Sequence, residues 1–169
     1  ELDDDISLQQ YNLLIKESEK NDFTHYEISN FGKDNYFSKH NSSYWLGNEY
    51  LGIGPSAHSY NGESRSWNVR SNKKYISEIK NNRLPSETEI LTNSEKFNDY
   101  IMTHLRTIWG VDTNYILKYF GKEILSDFIL DLKKWENSKD LTHQDENVKL
   151  TKKGKYISDA ICSDLFTDS

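Results

Sequence analysis

His40-Asn41-Ser42-Ser43-Tyr44-Trp45, followed after four residues by Tyr50-Leu51-Gly52-Ile53-Gly54-Pro55-Ser56-Ala57-His58-Ser59-Tyr60, is where this chain concentrates its chemistry. Two imidazoles, closely spaced glycines and paired aromatic rings fall in one short run. Such a segment suits something flat, large or metal-containing. A neutral imidazole is a metal or porphyrin-iron ligand, and Tyr44 shares a face with His40 if the stretch turns helically. The same spacing is compatible with a plainer reading, in which His40 bonds to backbone while Tyr44 and Trp45 fill core. Gly52-Ile53-Gly54 allows close backbone approach to a ligand or, equally, a tight bend at a sheet end. It is not a dinucleotide fingerprint, because the third glycine and the following helix are missing.

Bulk properties narrow the classes around this run. The chain has 169 residues, with 21 Lys+Arg against 27 Asp+Glu. An acidic balance argues against a nucleic-acid partner, which calls for a basic field. Only 35% of residues are hydrophobic but 13% are aromatic, so large rings must carry much of the core. A single cysteine, Cys162, rules out an internal disulfide framework and fits a reducing cytoplasm. It also rules out an iron–sulfur cluster held by this chain alone, since clusters need several thiolates. No apolar run approaches the ~20 residues of a transmembrane helix. The chain opens on Glu1-Leu2-Asp3-Asp4-Asp5 without a methionine and soon enters a helical pattern, so we expect a piece of a larger protein.

Outward from the quoted run, periodicity predicts an amphipathic helix over 6–21 with apolar positions 8, 11, 14 and 15, then a strand over Tyr26–Phe31. Residues 32–49 read as a functional loop and Tyr50–Ile53 as a short strand. Asn61-Gly62 turns a hairpin between 56–60 and 64–69. A helix over 72–82 is broken at Arg83-Leu84-Pro85-Ser86, which places a domain boundary near 88. Beyond it, Thr92 and Glu95 form a capping box for a helix with Phe97, Ile101, Leu105 and Ile108 on one face. Asp112 caps a short helix that Gly121 ends, and a third helix carries Leu125, Phe128, Leu132 and Trp135. Leu141–His143 and Val148–Leu150 make a hairpin, and Thr151 caps a closing helix. This order predicts an α/β part over 1–88 and a helical, winged-helix-like domain over 89–169. Asp127 and Asp131 beside Lys133 and Lys134 on its third helix disfavour DNA as the partner. Glu27, within a mostly apolar strand, needs either a site or a cation such as Lys33 or Lys39. Arg65 and Arg70 suit carboxylate pairing, with surface solvation the plainer role. His25, His104 and His143 receive no role.

Three ordered motifs then carry a resemblance over essentially the whole chain. His25-Tyr26-Glu27-Ile28-Ser29-Asn30-Phe31, His40-Asn41-x-x-Tyr44-Trp45 and Tyr50-Leu51-Gly52-x-Gly54-x-x-Ala57-His58-Ser59-Tyr60 resemble the oxygen-independent coproporphyrinogen III oxidase family of radical S-adenosylmethionine proteins. Lys39-His40-Asn41 with Trp45 favours its HemW-like, haem-handling branch. Leu150-Thr151-x-x-Gly154 through Asp159-Ala160-Ile161 resembles the end of that family's C-terminal domain. The resemblance implies the C-terminal part of a radical-SAM, partial TIM-like barrel followed by a winged-helix-like domain. It implies S-adenosylmethionine, a [4Fe–4S] cluster with ligands outside this chain, and haem. His40 is then the candidate haem-iron ligand, with Asn41, Tyr44 and Trp45 as its setting. Gly54, Ala57 and His58 match a segment on the S-adenosylmethionine side. The implied partners are haem or a porphyrinogen, and a haem-accepting protein. Three functions stay open: a haem chaperone, a decarboxylase of coproporphyrinogen III, and a winged-helix interaction module with no cofactor. Without cluster cysteines, the chain alone is not expected to perform radical chemistry. Gly32-Lys33-Asp34-Asn35 and Pro55-Ser56 depart from the family pattern, both in loops.

Overall fold

A computed structural model describes residues 3–167; Glu1 and Leu2 of the acidic opening lie outside the described residues. Helix α1 (Asp4–Lys20) starts where Asp3 accepts hydrogen bonds from the amides of Asp5 and Ile6, and Asp4 and Asp5 complement the positive helix end. Its expected apolar face is only partly used. Ile15 is buried and Tyr11 half-buried, whereas Leu8 and Leu14 are exposed.

The Tyr26–Phe31 strand is corrected to a tight antiparallel hairpin, β1 (Thr24–Glu27) and β2 (Asn30–Gly32). The buried Glu27 carboxylate accepts from the amide of Ser29 at 3.0 Å and from the side chain of Asn30, folding the chain back within two residues. The 32–49 loop contains a helix, α2 (Lys39–Trp45), capped by Ser38 Oγ accepting from Asn41 N. Tyr50–Ile53 is no strand; a single bridge joins Tyr50 to Tyr60. The expected hairpin is present as β3 (His58–Tyr60) and β4 (Ser64–Asn68). Helix α3 (Asn72–Lys80) follows. The Pro85 break then leads straight into β5 (Ser86–Ile90), which pairs with β4 and which periodicity missed, since all five of its residues are exposed.

Helix α4 (Asn93–Leu105) has the expected capping box and buries Phe97, Tyr100, Ile101 and Leu105. Then come β6 (Val111–Asp112), α5 (Thr113–Tyr119), α6 (Lys122–Asn137), β7 (Leu141–Gln144) and β8 (Asn147–Leu150). The expected two-stranded hairpin is thus a three-stranded antiparallel sheet in the order β6-β8-β7. Gly110 enters it at φ +72°, and a Cβ there would meet the carbonyl of Val148 at 2.4 Å. Thr151 accepts from Gly154 N to start a 3-10 turn (Gly154–Ile157) that runs into α7 (Ser158–Asp164).

The main core lies between α4, α6, α7 and the β6-β8-β7 sheet, around Phe97, Ile101, Leu105, Phe128, Leu132 and Ile161. Every strand pair among the described residues is antiparallel, so no parallel barrel sheet forms within them. The β1–β2 hairpin docks on the helical part through the end of α4. Ile108 N donates to Tyr26 O at 3.0 Å, and Ile28 N donates to Arg106 O at 3.1 Å. Tyr26 is buried there, stacked on Phe37 with Trp109 beyond.

Candidate functional site

Helix α2 positions the His40–Trp45 motif. Its 3.6-residue turn brings Tyr44 edge-on to His40, with ring centroids 4.9 Å apart. His40 is exposed, and its side chain has no hydrogen-bond partner among the described residues. Asn41 instead turns inward and donates to the side-chain oxygen of Asn30 at 3.1 Å. Trp45 lies under the guanidinium of Arg106, 4.7 Å from its ring centroid. Arg106 in turn donates to the fully buried Glu27 at 2.8 Å. The partner of Glu27 is therefore Arg106, not Lys33 or Lys39. Two of the quoted motifs are one connected unit: Glu27 accepts from Asn30 and Arg106, Asn30 accepts from Asn41, and Arg106 lies over the ring of Trp45.

Beyond Trp45 the chain forms one wall of a cavity of about 530 Å³. Tyr44, Tyr50 and Tyr60 build this wall, with Tyr44 and Tyr50 edge-to-face at 4.7 Å. The opposite wall belongs to α4 and α5. There Tyr100 stacks on Tyr115 at 4.4 Å, and Tyr115 lies 4.3 Å from Tyr119. Burial pushes the Tyr100 phenol up to about 12 and raises those of Tyr50, Tyr60 and Tyr115. Arg65 pairs with Asp99 at 3.1 Å across the cavity lining; burial raises the Asp99 carboxyl and Arg65 opposes that shift. Trp45 Nε1 and Arg65 Nε are fully buried beneath this lining and have no hydrogen-bond partner among the described residues. His104 also lines it. Its Nδ1 contacts the carbonyl of Tyr100 at 3.1 Å, and burial lowers its pKa to about 4.

Gly54, Ala57 and His58 lie elsewhere. The amide of Gly54 donates to Tyr75 OH at 3.2 Å, and its carbonyl accepts from Asn68 Nδ2 at 2.9 Å. Ala57 N donates to Gly54 O, and Ala57 O accepts from Asn68 N. The close approach that Gly52 permits is to the chain's own backbone, since a Cβ there would meet His58 O at 2.1 Å. His58 is exposed on β3 beside Trp67. Among the lining residues of the tyrosine cavity, only Tyr44 and Trp45 come from the site expected from sequence; His40 sits behind Tyr44, and Asn41 faces Asn30.

Sequence reasoning missed Arg106, Asp99, His104 and the α4–α5 tyrosines. The excess of tyrosine was the available signal, but its two halves lie far apart in the chain. Arg65, for which surface solvation was the plainer expectation, is half-enclosed and paired. Cys162 is buried, and its thiol is raised to about 11 by burial. No group of three or more metal-ligating side chains occurs among the described residues. These residues do not fit an iron–sulfur cluster.

No family model matches the chain. It is 32% identical over 155 residues to heme chaperone HemW of Bacillus subtilis, covering 90% of this chain and 41% of that protein. It is 28% identical over 167 residues to heme chaperone HemW of Mycobacterium tuberculosis, covering 96% of this chain and 40% of that protein. The chain thus spans about two fifths of the length of the curated relatives it matches. Its structure superposes on coproporphyrinogen III oxidase (HemN) of Escherichia coli, a radical SAM enzyme, with a TM-score of 0.70 at 16% identity. That likeness covers 92% of this chain and 40% of that one. Over nearly all its length, then, the chain is HemW-like in sequence and carries the mixed helix-and-strand fold found in that radical SAM enzyme.

Proposed function

We propose that this chain is the haem-handling part of a HemW-like radical-SAM protein, acting in the cytoplasm as a haem chaperone that passes haem to an acceptor protein. The observation that carries the reading is helix α2 in a HemW-like sequence. It presents an exposed imidazole, His40, against the edge of Tyr44, on a base locked by Asn41 and Trp45. His40 supplies the nitrogen for haem iron. Tyr44 offers a ring to the porphyrin, and the Glu27–Arg106 pair keeps the helix in place. Bound haem would supply an iron centre that the His40 imidazole would hold. S-adenosylmethionine and a [4Fe–4S] cluster belong to this reading as cofactors of the whole protein; Gly54, Ala57 and His58 are its S-adenosylmethionine side. The order α4-β6-α5-α6-β7-β8 is read as winged-helix-like, and the residues before it as the end of a partial barrel. The boundary near residue 88 separates the two. The slight excess of acidic over basic residues beyond it supports a protein or porphyrin partner rather than nucleic acid. No helix among the described residues is long and apolar enough to cross a membrane.

Titration of the chain with haemin tests the reading. The Soret band is expected to shift on binding, and His40→Ala is expected to weaken binding at least tenfold. A chain that binds no haemin, or a variant that binds it unchanged, refutes the assignment of His40.

A further inference from the structure

The tyrosine-walled cavity is built for more than the edge of one motif. Its two walls come from segments about forty or more residues apart, yet both present ring faces or edges to the same space. Flat aromatic ligands gain area and quadrupole interactions between such walls. Arg65 brings a guanidinium to this lining with its side chain 38% exposed, a group suited to a ligand's carboxylates. Arg65 pairs with Asp99 through Nη2 at 3.1 Å, which fixes the guanidinium at the cavity wall.

His104 adds a metal-binding group to this lining. The carbonyl of Tyr100 can only accept, so the 3.1 Å contact requires the proton on Nδ1. Thr103 Oγ1 lies 3.1 Å from the same nitrogen and itself donates to the carbonyl of Asp99. The lone pair is therefore left on Nε2, which has no hydrogen-bond partner among the described residues. A backbone carbonyl holding one imidazole nitrogen while the other stays free is the arrangement that orients histidine ligands. The ring is braced by Tyr100, 4.1 Å between centroids.

We infer that this cavity is a tetrapyrrole seat in which His104 Nε2 ligates the central metal, with the partly exposed guanidinium of Arg65 meeting the ligand's carboxylates. The inference rests on the haem reading above and extends it to a second imidazole, on a helix outside the His40 motif.

Two probes test it on the full chain: haemin, and protoporphyrin IX without metal. Both measure the seat, but only haemin reports iron ligation. His104→Gln keeps a side chain able to bond to backbone and removes the ligating nitrogen. Haemin affinity is expected to fall at least tenfold and its nitrogen-ligated spectrum to be lost. Affinity for the metal-free porphyrin should change less than twofold, which also shows that the variant is folded. Unchanged haemin affinity and spectrum in His104→Gln overturn the inference, as does an equal loss of both probes. If only His40→Ala loses the haemin spectrum, the chaperone reading stands and this one falls. If the parent chain binds neither probe, both fall together.

Discussion

Arg106 does the most work of any single residue outside the recognised motifs. Its guanidinium donates to Glu27, which is fully buried, and lies over the ring of Trp45. A buried carboxylate robbed of its cation costs about 3–5 kcal/mol, far more than an exposed pair contributes. Arg106→Met keeps the volume and removes the charge. It should destabilise the chain by about that amount in urea unfolding followed by circular dichroism. Because Arg106 also holds Trp45, haemin binding should weaken in the same variant even where it remains folded. Glu27→Gln should cost less, since an amide still accepts from Ser29 and Asn30. Glu27 was legible in the sequence as a carboxylate needing a partner. The identity of that partner was not, because the two lie 79 residues apart and no local rule connects them.

At the level of elements, the β1–β2 hairpin is the joint between the motif helix and the helical core. His25 sits in it, stacked on Phe31 at 4.4 Å, with Nε2 donating to the carbonyl of Ile28 at 2.8 Å. Burial lowers its pKa, the bond to Ile28 opposes that shift, and the nearby Lys155 ammonium adds to the lowering. The folded state thus holds His25 neutral below the ordinary imidazole range of about 6.5, where the unfolded chain has already taken up a proton. The unfolded chain binds more protons there, so stability falls as pH drops below about 6.5. The urea midpoint should decrease between pH 7.5 and 5.5, and His25→Gln should flatten that part of the profile. An identical slope in the variant would assign the acid sensitivity to other groups. Helix termini were the most legible elements, because caps act within three or four residues: Thr92, Asp112 and Gly121 all stand where expected. Strand β5 and helix α2 were not legible. The first has no buried face to create alternation, and the second is short and almost wholly polar on its open side.

The whole molecule has one well-filled core and one thinly covered part. The core lies in the second half of the chain. In the first half, Leu51, Ile53, Leu84 and Ile90 are 63–84% exposed, and β5 is an edge strand with every residue open. Apolar exposure beside an unpaired edge favours association between copies. The chain should self-associate at tens of micromolar, seen as a concentration-dependent sedimentation coefficient. Ile53→Glu with Ile90→Glu should return it to the monomer. A monomeric parent chain at those concentrations would contradict this.

Local chemistry in the amino-acid order was enough to identify the helices of the second half, the Asn61-Gly62 hairpin, the absence of cluster thiolates and the HemW-like motifs. Capping, turns and composition depend on neighbours in the chain, and so does motif spacing. Three matters were decided only by the tertiary structure: that Glu27 and Arg106 lock Asn41 and Trp45, that the backbone around Gly54 and Ala57 is tied to Tyr75 and Asn68, and that tyrosines from both halves face one cavity beside His104. Each joins residues distant in sequence. Such pairings are selected by what the fold brings within a few ångströms after burial, and no local pattern encodes them.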